Sequence, residues 1–396
     1  MPKNIKTTKL SKKLAVAKTK FKVAKKTKPS KKLTVTKTKL KTPKKPPRPK
    51  SKKSTGPIAL VKSEQNPIIS PKPENDWEAW QTFNPGVVLL DNKVHFLYRA
   101  LGADGISRFG YAVSSDGLTI DERLPQPVYT HQTGAGKQTF SVYSYLSGGG
   151  SWGGAEDPRI VQVDTEDNLF MTYTACDDGL RISLTSIKIA DFLNKNWKWK
   201  PACLISPSGE VHKNWLIFPE KINNQYAILH SIKPAIQIEY RDNLNFDGNN
   251  CIKSAHYGGP QKRCWDKWLR GAGAPPLKTK AGWLLFYHAM DDDWGKYKVG
   301  AMLLDLKDPT KILHRAKEPV LSPEESYENG GYKPGVVYVS GAVIKDGNLL
   351  VYYGCSDSFV SVAYANLDEF LKALQTETRP KLKLKTLSKK KKIKLC

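Results

Sequence analysis

The stretch Ser147-Gly148-Gly149-Gly150-Ser151-Trp152-Gly153-Gly154-Ala155-Glu156-Asp157-Pro158-Arg159 concentrates residues that could do chemistry. Glycine carries no Cβ, so backbone here can approach a ligand or itself. The stretch delivers a Trp, two adjacent carboxylates and a guanidinium to one place. Pro158 biases Asp157 toward extended or turn backbone, which puts its carboxyl at the mouth of a strand, not on a helix face. The strand itself is expected over Arg159-Ile160-Val161-Gln162-Val163. Asp157 is then a candidate catalytic acid in a cup that holds a sugar. The plainer alternative is a turn in which Arg159 neutralises Asp157, since Asp-Pro is common at turns.

The elements that must position this stretch repeat along the chain. Five segments read as a strand, a turn and a second strand ending in aromatics: Asn84 to Arg99, Glu156 to Tyr173, Asn214 to His230, Gly273 to His288 and Ser340 to Tyr353. Asp91-Asn92, Asn223-Asn224 and Asp346-Gly347 are hairpin turn signals between the strands. A third strand follows most of them, at 110–114, 182–186, 300–304 and 361–365. Five units of roughly 65 residues have the scale of propeller blades. Closing them into a ring hides strand edges and gathers the starts of the innermost strands around one funnel. Asn84, Asp157, Asn214 and Gly273 hold matching positions and are expected to converge there. The expected fold class is all-β, a five-bladed β-propeller over 57–378; a sandwich of hairpins is the alternative. Helices are expected only in short pieces, at 191–193 and at Leu367–Leu374. The latter is capped by Asn366 and has Leu367, Phe370, Leu371 and Leu374 on one face.

Charge separates the ends from the body. Of 64 Lys and Arg, 22 lie in residues 1–55 and 9 in 379–396, both without a single acid. That leaves 33 against 37 acidic residues, a mildly acidic body. Residues 1–56 are a Lys/Thr/Pro-rich tail with too little apolar surface to offset the entropy of ordering, and are expected to be disordered, as is 379–396. Ser11–Lys20 recurs as Ser30–Lys39. The two tails are candidates for nonspecific contact with nucleic acid or another polyanion; plain solubility is the alternative. The six Cys show no spacing of a zinc site or disulfide framework, which points to a cytoplasmic setting without a bound metal. No apolar run is long enough to span a bilayer, and the basic N-terminus has no apolar h-region.

Asn84-Pro85-Gly86, Tyr98-Arg99-Ala100, Gly154 to Arg159, Phe218-Pro219-Glu220-Lys221-Ile222, Gly282 to His288 and Tyr352-Tyr353-Gly354-Cys355-Ser356-Asp357 together resemble the family 130 glycoside hydrolases and phosphorylases. The resemblance runs from about Asn84 to Leu374. It implies a five-bladed propeller that cleaves β-mannosides with inversion and no metal or organic cofactor. Asp157 would be the general acid, acting on the glycosidic oxygen through a sugar hydroxyl, with Asn84, Arg99 and Asp357 as ligands of the non-reducing mannose. The family's phosphorylases hold inorganic phosphate, their co-substrate, with a cluster of cations. Arg270 and His288 stand where two are expected and Lys213 is near a third. Where an arginine typically follows the His of a strand end, His230 is followed by Ser231.

Charge separates the possible reactions. Phosphate is its own nucleophile and needs several positive groups around it. Lys213, Arg270 and His288 favour that course, with mannose 1-phosphate as product. Hydrolysis with inversion needs a carboxylate base across the ring, for which Glu220, Asp291 and Glu328 are the candidates. A sugar-binding propeller without turnover, carrying polyanion-binding tails, is the third possibility. Linkage and chain length rest with the loops at 125–152 and 241–268.

Overall fold

The computed structural model describes residues 60–132, 149–176, 179–255, 259–261, 264–293 and 295–376. The chain divides into Met1–Ser54 and Thr55–Cys396, and all described residues belong to the second unit. The basic tails at 1–56 and 379–396, and Ser147-Gly148, lie outside the described residues.

The described chain is mostly β. It enters through β1 (Val61–Lys62). A first antiparallel set follows in β2 (Gln81–Leu90), β3 (Lys93–Leu101), β4 (Ile106–Ser114) and β5 (Glu122–Arg123), and a second in β6 (Gly153–Gln162), β7 (Asn168–Cys176), β8 (Leu180–Lys188) and β9 (Cys203–Leu204). The third is β10 (Leu216–Ile217), β11 (Tyr226–Ser231) and β12 (Gln237–Arg241). The fourth is β13 (Trp268–Ala272), β14 (Leu277–Thr279), β15 (Gly282–Met290), β16 (Lys298–Leu304) and β17 (Ile312–Arg315). The last is β18 (Val337–Lys345), β19 (Asn348–Cys355) and β20 (Phe359–Asn366), with β1 as its outer strand, Val61 opposite Tyr364. A short parallel pairing of β4 with β6, Ile106 opposite Gly153, joins the first two sets into one sheet.

The turns carry the geometry their residues suggest. Asp91 and Asn92 have φ of 46° and 59°, Asn223 and Asn224 52° and 67°, Asp346 and Gly347 51° and 76°. A two-residue hairpin turn of type I′ needs both residues left-handed, which Asn, Asp and Gly tolerate best. Three strands differ from expectation. The strand expected from Gly273 begins only at Leu277 as β14, and β13 ends before it at Ala272, because Pro275 and Pro276 have no N–H for the ladder. β6 starts at Gly153 instead of Arg159, and β10 is only two residues long.

Apolar side chains fill the spaces between consecutive sets. Leu97 and Tyr111 pack with Ile160 and Met171; Val161 and Ile182 with Ile217 and Ile228; Leu216 and Leu229 with Leu285 and Met302. Leu284 and Val299 pack with Val339 and Val351, and Val343 and Tyr352 return to Val94 and Phe96 of the first set. Each fully buried Leu or Ile contributes about 1.5–3 kcal/mol. Of the helices α1 (Ile189–Leu193), α2 (Ser326–Asn329) and α3 (Leu367–Gln375), only the third is long. The Asn366 side chain accepts from Glu369 N at 3.0 Å, while Phe370, Leu371 and Leu374 are buried against Phe286, with Leu367 partly so. Among the described residues no helix is long and apolar enough to cross a membrane.

The strands β2, β6, β13 and β18 are irregular where they matter. Register shifts fall between Phe83 and Gly86, Glu156 and Arg159, Leu269 and Gly271, and Val339 and Gly341. Such bulges re-aim a side chain out of the pleat. The residues they release are Asn84, Asp157, Arg270 and Ser340.

Candidate active site

Asn84 and Asp157 leave their bulges with φ of 44° and 52°, and Asn214, just before β10, with 67°. Asp157 thus takes the left-handed alternative to the extended backbone that a following proline favours. The left-handed region costs a non-glycine residue of order 1–3 kcal/mol, held here by the surrounding strands. The strain aims both side chains at one point. Asn84 Nδ2 donates to Asp157 Oδ1 at 2.8 Å, and Arg99 Nη1 donates to the same oxygen at 3.2 Å. Glycines of neighbouring strands make room: a Cβ on Gly354 would lie 2.0 Å from Asn84 Oδ1, and one on Gly271 2.2 Å from Asn214 Nδ2.

Arg99 is held from all sides. Its Nε donates to Ser107 Oγ at 2.8 Å and its Nη2 to Ser151 Oγ at 3.0 Å and Glu156 Oε1 at 3.1 Å, with the Phe83 ring beneath the guanidinium. Lys213 Nζ meets the other oxygen of Glu156 at 3.0 Å. Glu156 is fully buried and also accepts from Ser151 Oγ at 2.6 Å. Burial alone would raise the Asp157 pKa. The charges of Arg99, Lys213 and Arg159 and the Asn84 hydrogen bond outweigh it and hold this carboxyl well below the usual range. At Asp357 burial wins, and its pKa is raised despite Lys333 and Arg99. Among the described residues the Asp357 carboxylate makes no hydrogen bond, and Asn84 Oδ1 is buried without a partner. Both are open acceptors beside Asp157, as the hydroxyls of a bound sugar would require.

Arg159 links this cluster to a second one. Its Nη1 donates to Asp157 O at 2.6 Å, Nε to Gly273 O at 3.0 Å, and Nη2 to Asn214 Oδ1 at 3.1 Å and Tyr338 Oη at 2.9 Å. Tyr338 Oη in turn donates to Asn214 Oδ1. The Tyr338 ring stacks on His288 at 4.0 Å, and Arg270 Nε donates to Tyr297 Oη at 2.9 Å beside them. So Arg159 does pair with the Asp157 residue, but through its carbonyl, leaving the carboxylate to Arg99 and Asn84. His288 differs from expectation in charge. Burial, then Arg159, draw its pKa down to about 3, so the ring is neutral and the positive charge near it belongs to Arg270 and Arg159.

Sequence pattern alone missed several members. Ser107 and Tyr338 carry no spacing signal of their own, while Ser151 and Glu156 lie in the stretch the sequence singles out but without a role assigned to them; only the register that brings the four together reveals what they do. Lys233 is the other. It is half-buried two residues beyond Ser231, with no ion-pair partner among the described residues, and its pKa is lowered by burial and by Arg270. Ile232 and Leu269, the neighbours of Lys233 and Arg270, pack in one core cluster. The carboxylates considered as bases are engaged elsewhere. Glu220 pairs with Lys278, and Asp291 with Lys298 at 2.5 Å. Glu328 is buried, taking Lys62 Nζ at 2.7 Å and Tyr353 Oη at 2.9 Å while capping α2.

A β-rich molecule with paired carboxylates, amides and guanidinium groups gathered at the bulges of its strands has the make-up of a carbohydrate-active protein. The family profile described as beta-1,4-mannooligosaccharide phosphorylase matches residues 59–376, and the chain belongs to that family, glycoside hydrolase family 130. It is 37% identical over 326 residues to a 1,2-beta-oligomannan phosphorylase of Thermoanaerobacter sp., covering 79% of this chain and 99% of that protein. A beta-1,2-mannobiose phosphorylase of the same organism is 34% identical, covering 77% of this chain and 96% of that protein. The crystal structure of a glycosyl hydrolase from Bacteroides ovatus superposes with a TM-score of 0.63 at 26% identity, covering 79% of this chain and 95% of that one.

Proposed function

We propose that the protein cleaves β-mannosidic bonds, β-1,2-linked ones foremost, by phosphorolysis with inversion, releasing mannose 1-phosphate. The observation that carries this is the distribution of charge around Asp157. On one side lie open acceptors for a sugar, Asn84 Oδ1 and Asp357. On the other, Arg270 and Lys233 repel one another, and among the described residues neither has a carboxylate paired with it. Like charges held together without a counterion favour an incoming anion. Lys233 then supplies the charge that Ser231 lacks, while Lys213, tied to Glu156, serves the sugar side. Two relatives matched over nearly their whole length carry phosphorylase names with β-1,2 linkages. Hydrolysis is disfavoured because Glu220, Asp291 and Glu328 are bound to Lys278, Lys298 and Lys62.

In this reading a phosphate oxygen bonds to the anomeric carbon as the glycosidic C–O bond breaks. The leaving oxygen receives a proton from Asp157 by way of a sugar hydroxyl, and the hydrogen of monohydrogen phosphate restores the carboxyl, so charge and atoms balance. Asp157 is ionised in the free protein, so it gains its proton in the complex, where the phosphate dianion opposes Arg159. Five-bladed closure is part of the reading: the five core clusters run from each set to the next and back to the first. A cytoplasmic site of action rests on the cysteine pattern, and polyanion contact by the tails on their charge. The function is tested by initial rates on β-1,2-mannobiose at rising phosphate. Rates should saturate with phosphate and vanish without it; rates indifferent to phosphate contradict the proposal.

A further inference from the structure

His288 has one ring nitrogen committed and one without a partner. Nε2 lies 2.8 Å from Val339 O. A carbonyl oxygen only accepts, so Nε2 carries the hydrogen. The ring is fully buried against Tyr338 and neutral. Nδ1 is therefore a bare lone pair, and among the described residues it has no hydrogen-bond partner. Around the ring stand Arg159, Arg270 and Asp157, with the Tyr297 and Tyr338 rings 6.0 and 4.0 Å away. The cations draw an anion toward a nitrogen that can bond only to a hydrogen donor.

We propose that His288 makes the anion site selective for a protonated oxyanion: Nδ1 accepts a hydrogen bond from the P–OH of monohydrogen phosphate and turns sulfate away. The inference rests on the phosphorolysis reading. Sulfate and monohydrogen phosphate carry the same charge, so Arg270 and Lys233 cannot separate them. Sulfate has no hydrogen to give, and its oxygen would face the Nδ1 lone pair. A buried polar group left unpaired is the strongest means a site has of rejecting a close analogue. The neutral ring is a requirement, since a doubly protonated imidazole would donate to either anion. Burial and Arg159 supply that condition.

The test is calorimetric titration of the full chain with phosphate and, separately, with sulfate at fixed ionic strength and neutral pH. Phosphate should bind at least about tenfold more tightly than sulfate. Equal affinities overturn the inference while leaving phosphorolysis intact; binding of neither anion overturns both. His288→Phe keeps the stack on Tyr338 and removes the acceptor. It should weaken phosphate about tenfold and leave sulfate unchanged, so the preference collapses. If that variant instead raises KM for the mannoside and keeps the anion preference, Nδ1 serves a sugar hydroxyl and the inference is wrong. The wild-type comparison needs no variant, so a folding defect in His288→Phe cannot decide the matter.

Discussion

Asp157→Asn removes a transferable proton and one charge while keeping the shape of the side chain. Among the described residues both hydrogen bonds to the carboxylate go to Oδ1, from Asn84 Nδ2 at 2.8 Å and Arg99 Nη1 at 3.2 Å. An amide oxygen in that place still accepts from both. Glu156 stays beside Arg99 and Lys213 at 3.1 and 3.0 Å, so the buried cations keep a counterion. The loss in stability should then be at the lower end for a buried charge, roughly 1–3 kcal/mol. Removing a general acid costs about 10²–10⁴-fold in rate, or about 3–5 kcal/mol of barrier. The assay is steady-state phosphorolysis of β-mannobiose and of an aryl β-mannoside whose phenol is strongly acidic. A phenolate departs without a proton. The variant should lose at least about 10²-fold on the disaccharide and less than about tenfold on the aryl substrate, with KM little changed. Equal losses on both substrates, or an unchanged disaccharide rate, would refute the acid role.

Glu156→Gln leaves Arg99 and Lys213 without their shared carboxylate and should destabilise the fold by about 3–5 kcal/mol, read as a lower Tm; an unchanged Tm would show that Glu156 does not hold the cluster. Lys233→Gln should raise KM for phosphate about tenfold and leave KM for the mannoside alone, because one charge of an anion site is removed. Gly354→Ala puts a methyl 2.0 Å from Asn84 Oδ1 and 2.7 Å from Asn84 N, so mannoside KM should rise while phosphate affinity holds. His230 is buried, and burial lowers its pKa to about 4 from 6.5. The unfolded chain therefore binds a proton that the folded one refuses as pH falls through this window, and stability present above pH 6.5 is lost toward pH 4. At most about 3 kcal/mol is involved, and His230→Gln should flatten Tm against pH over that range.

The strands and turns were legible because each is written locally. Asn223-Asn224 and Asp346-Gly347 can hardly form anything but tight left-handed turns, and the aromatic strand ends Tyr98, Tyr173 and Tyr353 are buried as their pattern implies. The break at Pro275-Pro276 was equally local and could have been read from the prolines. What the sequence withheld is register. Nothing in Glu156 reveals that it bridges Arg99 and Lys213, 57 residues away on either side, because the bridge exists only once bulged strands stand next to each other. Lys233 was hidden in the same way. The neutrality of His288 depends on full burial and on Arg159, neither visible in the run Phe286-Tyr287-His288. The tails, legible only as charge, lie outside the described residues.

The most direct test of phosphorolysis at Asp157 is to incubate the full chain with β-1,2-mannobiose, with and without inorganic phosphate, and follow the products by ¹H and ³¹P NMR. The account predicts α-mannose 1-phosphate and mannose in equal amounts, only when phosphate is present. Free mannose at the same rate without phosphate would contradict it.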